Sequence, residues 1–334
     1  MPDSTAVQEG IAMGYNVENY RKVKETIDGR RAAALQEADR RTALLHTLSP
    51  EVAEIDRKLS GTGMRLFRVA TEGGANLQEK LAAARAEHEA LKERRAALLL
   101  SLGYPADYTA PHYTCEKCHD TGFIEARMCS CMREALVLEG VRSSGLGALI
   151  NRQSFENFSL DYYRDTPENA ERAAYTLSRA RAYAENFSTE SGNLLLMGPT
   201  GLGKTHLSTA IARTVIERGY DVVYESVQNL LADFEYDRFK SGYGENTPRG
   251  NRYLLCELLI VDDLGTEQTN QFVTATLYHL LNTRLNHARP TVISTNLIGD
   301  EELRTRYGDR ISSRLLGEFE LLLLLGTDIR MQKL

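Results

Sequence analysis

The sequence has no excess of positive charge. Its 40 Lys and Arg stand against 46 Asp and Glu, a formal net charge of −6 over 334 residues. That excludes a histone-like or basic-tail protein, so any contact with nucleic acid must come from a local patch or from assembled subunits. Long apolar runs are also missing. Stretches such as Leu321 to Leu325 fall far short of the roughly 18 to 20 residues that cross a bilayer, so no membrane span is expected. The start, MPDSTAVQEG, lacks both the basic residues and the apolar stretch of a secretory signal. A disulfide framework is disfavoured: the cysteines number five, an odd count, and four lie between Cys115 and Cys131. Such clustering suits metal ligation in a reducing compartment, and the expected location is the cytoplasm. No repeat with a period of about 20 to 50 residues is evident.

With 42% hydrophobic and 26% charged residues, the composition is that of a soluble globular chain. Its length exceeds the roughly 250 to 300 residues at which one core stops growing, so two units are expected. Residues 17 to 101, rich in Ala, Glu, Arg, Lys and Leu, read as three helices. Ser49 and Pro50 start the second, Asn76 with Glu79 caps the third, and the Gly61/Gly63 region and Gly73-Gly74 are expected interruptions. Leu77, Leu81, Ala84, Leu91 and Leu98 form a heptad-like seam in which His88 and Arg95 occupy two positions. Two readings stay open for this region, a helical hairpin packed on itself and a coiled-coil surface that docks a partner. The expected division is a helical region over 1–105, a cysteine module over 106–135, a linker over 136–150 and a nucleotide-binding domain over 151–334. In that last part, Leu194 to Met197, Val222 to Tyr224, Leu258 to Val261, Thr291 to Ser294 and Leu321 to Leu325 alternate with helical patterns. The order predicts an α/β domain with a five-stranded parallel sheet.

The segment Gly198-Pro199-Thr200-Gly201-Leu202-Gly203-Lys204-Thr205 fits a P-loop, directly after an apolar run and before a helical stretch. Glycines let the backbone turn its N–H groups toward a triphosphate, Lys204 reaches the β- and γ-phosphates, and Thr205 can hold Mg²⁺. ATP and Mg²⁺ are therefore the expected cofactors. Leu258 to Val261 then deliver Asp262 and Asp263 at a strand end, a Walker B pattern. Asp262 is expected to hold Mg²⁺ and Asp263 to polarise the attacking water. Thr291 to Asn296 is a strand with a polar tip. Asn296 is expected beside the γ-phosphate if this strand lies between the P-loop strand and the acidic pair. Cys115, Cys118, Cys129 and Cys131 suit tetrahedral Zn²⁺ in a closed, structural site, with His112 and His119 as alternates. Cys256 reads as a small core residue. Basic and aromatic residues interleave at Phe234, Tyr236, Arg238, Phe239, Lys240, Tyr243 and Arg249, either a single-strand contact or a surface loop.

These motifs, together with Phe155-Glu156-Asn157-Phe158, Leu259 to Glu267, Ser294-Thr295-Asn296 and Arg310 to Leu315, resemble the AAA+ ATPases of the bacterial replicative-helicase loader group. This is the DnaC/DnaI type within the IstB-like ATP-binding superfamily. The resemblance implies an ATPase that loads a hexameric replicative DNA helicase onto single-stranded DNA and self-associates through AAA+ interfaces. It implies that Asn296 is sensor 1, Arg314 the arginine finger offered to a neighbouring subunit, with Arg310 as runner-up, and Arg330 the sensor 2 arginine. Two departures bear on rate: Asp263 stands where many members have Glu, and few residues follow Arg330 to form a lid. A transposition helper ATPase of the IstB type and a non-hydrolysing, ATP-switched adaptor are the alternative readings.

Overall fold

Alanine, leucine and long charged side chains lose little rotamer freedom in a helix, and they build α1 (Val17–Leu48), α2 (Pro50–Glu72) and α3 (Leu77–Ser101). The computed structural model describes residues 15–72, 77–240 and 249–332. Two units emerge: one is Lys24–Met132, and the other is Arg133–Leu334 with the residues up to Val23.

In the first unit Leu45, Val52 and Leu99 are fully buried, and Tyr104 and Tyr108 pack against them. Arg95, one of the two charged seam positions, pairs with Asp56 at 2.5 Å, and His46 Nε2 meets the same carboxylate at 2.8 Å. Burial pushes the Asp56 carboxyl up, but the hydrogen bonds with Arg95 and His46 outweigh it and hold the group below the usual carboxylate range. Arg94 pairs with Glu51 across the same two helices. The seam is thus used at least in part within the chain. Contrary to expectation, α2 runs through Gly61 and Gly63. A glycine inside a helix costs about 1 kcal/mol relative to alanine, which an otherwise helix-forming segment absorbs. The expected break at Gly73-Gly74 and the Asn76 cap lie outside the described residues. A short antiparallel hairpin, β1 (Phe123–Ile124) and β2 (Arg127–Met128), follows, and α4 (Ser130–Ser143) begins just after it.

The second unit is built on a parallel sheet of β3 (Asn193–Met197), β4 (Val222–Ser226), β5 (Leu258–Leu264), β6 (Thr291–Thr295) and β7 (Phe319–Leu323), in the order β4-β5-β6-β3-β7. The five strands are those read from the sequence, and β6 lies between β5 and β3 as the sensor position requires. The last begins and ends two residues earlier than expected, pairing Phe319 to Leu323 with Asn193 to Met197. Strand residues alternate between two cores. Leu194 and Leu196 face a layer with α5 (Pro167–Glu185) and α6 (Lys204–Glu217). Leu195 and Met197 face α7 (Val227–Lys240), α8 (Asn251–Leu255), α9 (Gln271–Asn286), α10 (Asp300–Tyr307) and α11 (Asp309–Gly317). Burial on both faces explains why these strands read as near-continuous apolar runs. Among the described residues, no helix is long and apolar enough to cross a membrane.

The bottom of the sheet is tied by Arg284, which is 1% exposed. Its guanidinium donates to the carbonyls of Tyr253, Cys256 and Pro290 and to Thr291 Oγ1 at 2.6 to 3.1 Å. Arg284→Met would leave those buried acceptors unpaired. We expect a loss of about 3 kcal/mol in chemical denaturation without nucleotide; a loss below about 1 kcal/mol would show that water replaces the guanidinium.

Candidate functional site

The P-loop needs its glycines for stated reasons. Gly198 has φ +152°, and a β-carbon there would sit 2.1 Å from the Leu324 carbonyl oxygen; at Gly203, φ +79°, it would sit 2.9 Å from Phe158. Leu202 anchors the loop in the core, and its carbonyl accepts from Tyr163 Oη at 2.7 Å. Lys204 Nζ donates to the carbonyls of Gly198 at 2.7 Å and Pro199 at 2.8 Å, bracing the loop from within. Burial pushes the Lys204 ammonium below its usual range, and the charges of Asp263 and Asp262 oppose that shift.

The loop borders a cavity of about 580 Å³, within the usual range for a small-molecule site. Thr200, Lys204, Thr205, Asp262, Asp263 and Arg330 line one part, and Gln153, Phe158 and Tyr162 line another. Polar groups for phosphates and apolar surface for a base therefore share one space.

The two aspartates diverge. Asp262 is 7% exposed and accepts from Thr205 Oγ1 at 3.0 Å, Tyr224 Oη at 2.7 Å and Ser294 Oγ. A register irregularity between β5 and β6 follows Val261, and Asp263 takes φ +58°, which turns its exposed side chain toward the cavity. Its N–H donates to Ser294 Oγ at 2.9 Å. Partial burial and then the Asp262 charge push the Asp263 carboxyl up, while Lys204 and Arg330 pull it down. Oxygen donors from Thr205 and Asp262, adjacent and hard, fit Mg²⁺.

Arg330 lies on α12 (Ile329–Gln332), which is held to the P-loop by the Ile329 N–H donating to Gly201 O at 3.2 Å. Asn296 follows β6 beside Gly265 and is exposed, outside the cavity lining. Arg314 is also outside it. Its guanidinium lies 4.5 Å from the Tyr278 ring centroid and donates to Asn282 Oδ1 at 2.7 Å. Arg310 is exposed on the same helix. The contacts of Tyr224 and Ser294 with Asp262 were not anticipated. Both residues sit on strands flanking β5, and only the strand order brings them to Asp262.

The four cysteines come together, with all four Sγ atoms within 4.8 Å of one another. Cys115 and Cys129 are 3.8 Å apart and Cys118 and Cys131 3.5 Å, against about 3.8 Å for two thiolates each about 2.3 Å from a tetrahedral zinc. The Asp120 carboxylate accepts from the N–H groups of Thr114 and Cys115 and shapes the first knuckle. Burial and the neighbouring thiols push the Cys131 thiol far up. Neither histidine is needed. Cys256 is buried in the core, as expected. In the aromatic segment, Arg249 stacks on Tyr236 and Arg238 on Phe272, while Phe239 is 77% exposed; Tyr243 lies outside the described residues.

A family model described as IstB-like ATP binding protein matches residues 142–316. The chain is 26% identical over 172 residues to the "Replicative helicase loader DnaC" of Escherichia coli (strain K12), covering 52% of this chain and 66% of that protein. It thus spans just under two thirds of that relative's length. Similarity to the "Phage-like element PBSX protein XkdC" of Bacillus subtilis (strain 168) reaches 26% identity over 243 residues, 67% of this chain and 89% of that protein. A solved structure, "Crystal structure of the DnaC helicase loader", is 25% identical with a TM-score of 0.43, covering 51% of this chain and 98% of that one.

Two outcomes follow from the geometry. Lys204→Ala removes a cation from the cavity and should weaken ATP binding by about 10- to 100-fold in titration calorimetry. Metal analysis should find one zinc per chain, lost in a Cys115→Ser, Cys118→Ser double variant; stoichiometric zinc in that variant would refute the ligand set.

Proposed function

The chain belongs to the IstB-like ATP-binding family, and on that premise we propose that it is an ATPase that loads a hexameric replicative DNA helicase onto single-stranded DNA in the cytoplasm. The similarity to the helicase loader DnaC over 172 residues carries this reading. The helical region over 1–105 and the zinc module over 106–135, which precede the family match at 142–316, supply the helicase contact. Residues 151–334 bind nucleotide and single-stranded DNA.

The P-loop backbone from Gly198 to Gly203 receives the phosphates, and Lys204 moves from its loop carbonyls to the β- and γ-oxygens. Thr205 and Asp262 hold Mg²⁺, which when bound neutralises phosphate charge. Asp263 polarises the attacking water, and Arg330 adds positive charge from the same chain. Arg314, which the resemblance to the loader ATPases implies is the arginine finger, lies outside its own cavity and acts on a neighbour's nucleotide, with Arg310 beside it as the second candidate. Asn296 orients water once subunits have closed on the site. Hydrolysis then depends on self-association. Cys115, Cys118, Cys129 and Cys131 hold a structural zinc with no part in the chemistry.

The family description itself favours a second reading, a transposition helper of the IstB type. Capture of the replicative helicase of the same cell by the full chain supports the loader; capture of a transposase instead would replace it. A fragment of residues 1 to 150 is expected to bind the helicase, and equal binding by 151–334 would overturn that division.

Arg314→Ala should keep near-normal ATP affinity and lose most turnover in assembled protein, by up to about 10³- to 10⁵-fold as for arginine fingers generally. Mixed with Lys204→Ala, whose finger is intact, it should regain part of the activity through mixed interfaces. A mixture that co-assembles and stays inactive would move the role to Arg310.

A further inference from the structure

Tyr224 does not itself line the cavity, yet its hydroxyl is 2.7 Å from Oδ2 of Asp262, which does. A phenol has one proton to give, and here it goes to the carboxylate. Ser208 Oγ lies 3.2 Å behind the same phenolic oxygen and is placed to donate to it, sharing its one proton with the Thr205 carbonyl at 3.1 Å. The ring is fixed as well as the hydroxyl. Tyr224 is 6% exposed, and its N–H donates to the Ser144 carbonyl at 2.7 Å. Its own carbonyl oxygen lies 2.4 Å from where a β-carbon on Gly145 would stand, and Gly145 has φ +88°. Only glycine lets residues 144 and 145 grip the strand so closely.

Asp262 has three side-chain donors: Thr205, Tyr224 and Ser294. Thr205 is itself a magnesium ligand in the reading above, so its oxygen would be shared with the metal while its proton stays on Asp262. Ser294 serves two masters, since it also accepts from the Asp263 N–H. Tyr224 gives Asp262 its only proton and does not itself line the cavity as a candidate metal ligand.

We propose that Tyr224 is the positioning residue for the magnesium carboxylate, with Ser208 and the Ser144-Gly145 turn holding Tyr224 in place. The proposal rests on the ATP-site reading and adds to it a residue from outside the P-loop and Walker B motifs. Outer-shell hydrogen bonds of this kind orient a ligand and tune its affinity for metal.

The test is nucleotide binding by the full chain, followed with a fluorescent ATP analogue titrated with Mg²⁺ and repeated in EDTA. Tyr224→Phe should raise the half-saturating Mg²⁺ concentration by about 10- to 100-fold while changing affinity in EDTA by less than about two-fold. Mn²⁺ followed by electron paramagnetic resonance should show the same weakening of metal binding. Ser208→Ala, which removes only the hydroxyl behind the phenol, should shift the Mg²⁺ curve in the same direction by a smaller factor. No shift in either variant overturns the proposal, and so does an equal loss with and without metal, which marks a packing defect. Wild-type protein with no Mg²⁺ dependence at all would instead overturn the ATP-site reading itself.

Discussion

Both faces of the parallel sheet are buried, and that constraint places everything else. A strand covered on two sides cannot carry a charge along its length without stranding it away from water. In the central strands β3, β5 and β6 charge therefore gathers toward the strand ends. The P-loop follows β3, the aspartate pair closes β5, and Ser294 to Asn296 close β6, all at the same edge of the sheet. Asp262 is drawn partly inside, and it is accompanied by three hydroxyl donors. Arg284 solves the opposite problem at the other edge, where a buried cation is met by backbone carbonyls and a threonine.

What was legible in the residues was what short-range chemistry dictates. A P-loop is a backbone shape that only glycines allow at Gly198 and Gly203, so its pattern survives in one dimension. Four thiols within a short span announce themselves because a tetrahedral cation needs them close. The five strands were legible because their burial on both faces leaves continuous apolar runs. Less was legible where partners meet through space. Tyr224 and Ser294 look like ordinary strand residues until the order β4-β5-β6 sets them on either side of Asp262. The interruption expected at Gly61 and Gly63 failed because a glycine costs a helix little when the residues around it favour one. Nothing in the spacing of Arg314 foretold that Tyr278 and Asn282 would hold it.

Those partners of Arg314 bear on how it can act. A guanidinium resting on an aromatic ring and a neutral amide leaves no orphaned carboxylate behind when it departs. Arg252, by contrast, is paired with Glu225 and Asp233, and releasing it would strand two anions. The two arginines are equally charged, but only one is free of an electrostatic tether to its own subunit.

The placement of β3 has a consequence for how the chain acquires its native form. This strand is the first of the five in the sequence, yet its neighbours are β6 and β7, which follow by about 100 and 125 residues. Gly198 is packed under the carbonyl of Leu324, and Gly201 is bonded to Ile329. During synthesis the nucleotide loop is made early but cannot settle until the last strand has arrived and docked beside it. Contacts so distant along the chain form slowly. Competence to hold a nucleotide thus comes at the end of folding, and an incompletely made or unfinished chain presents no finished phosphate cradle.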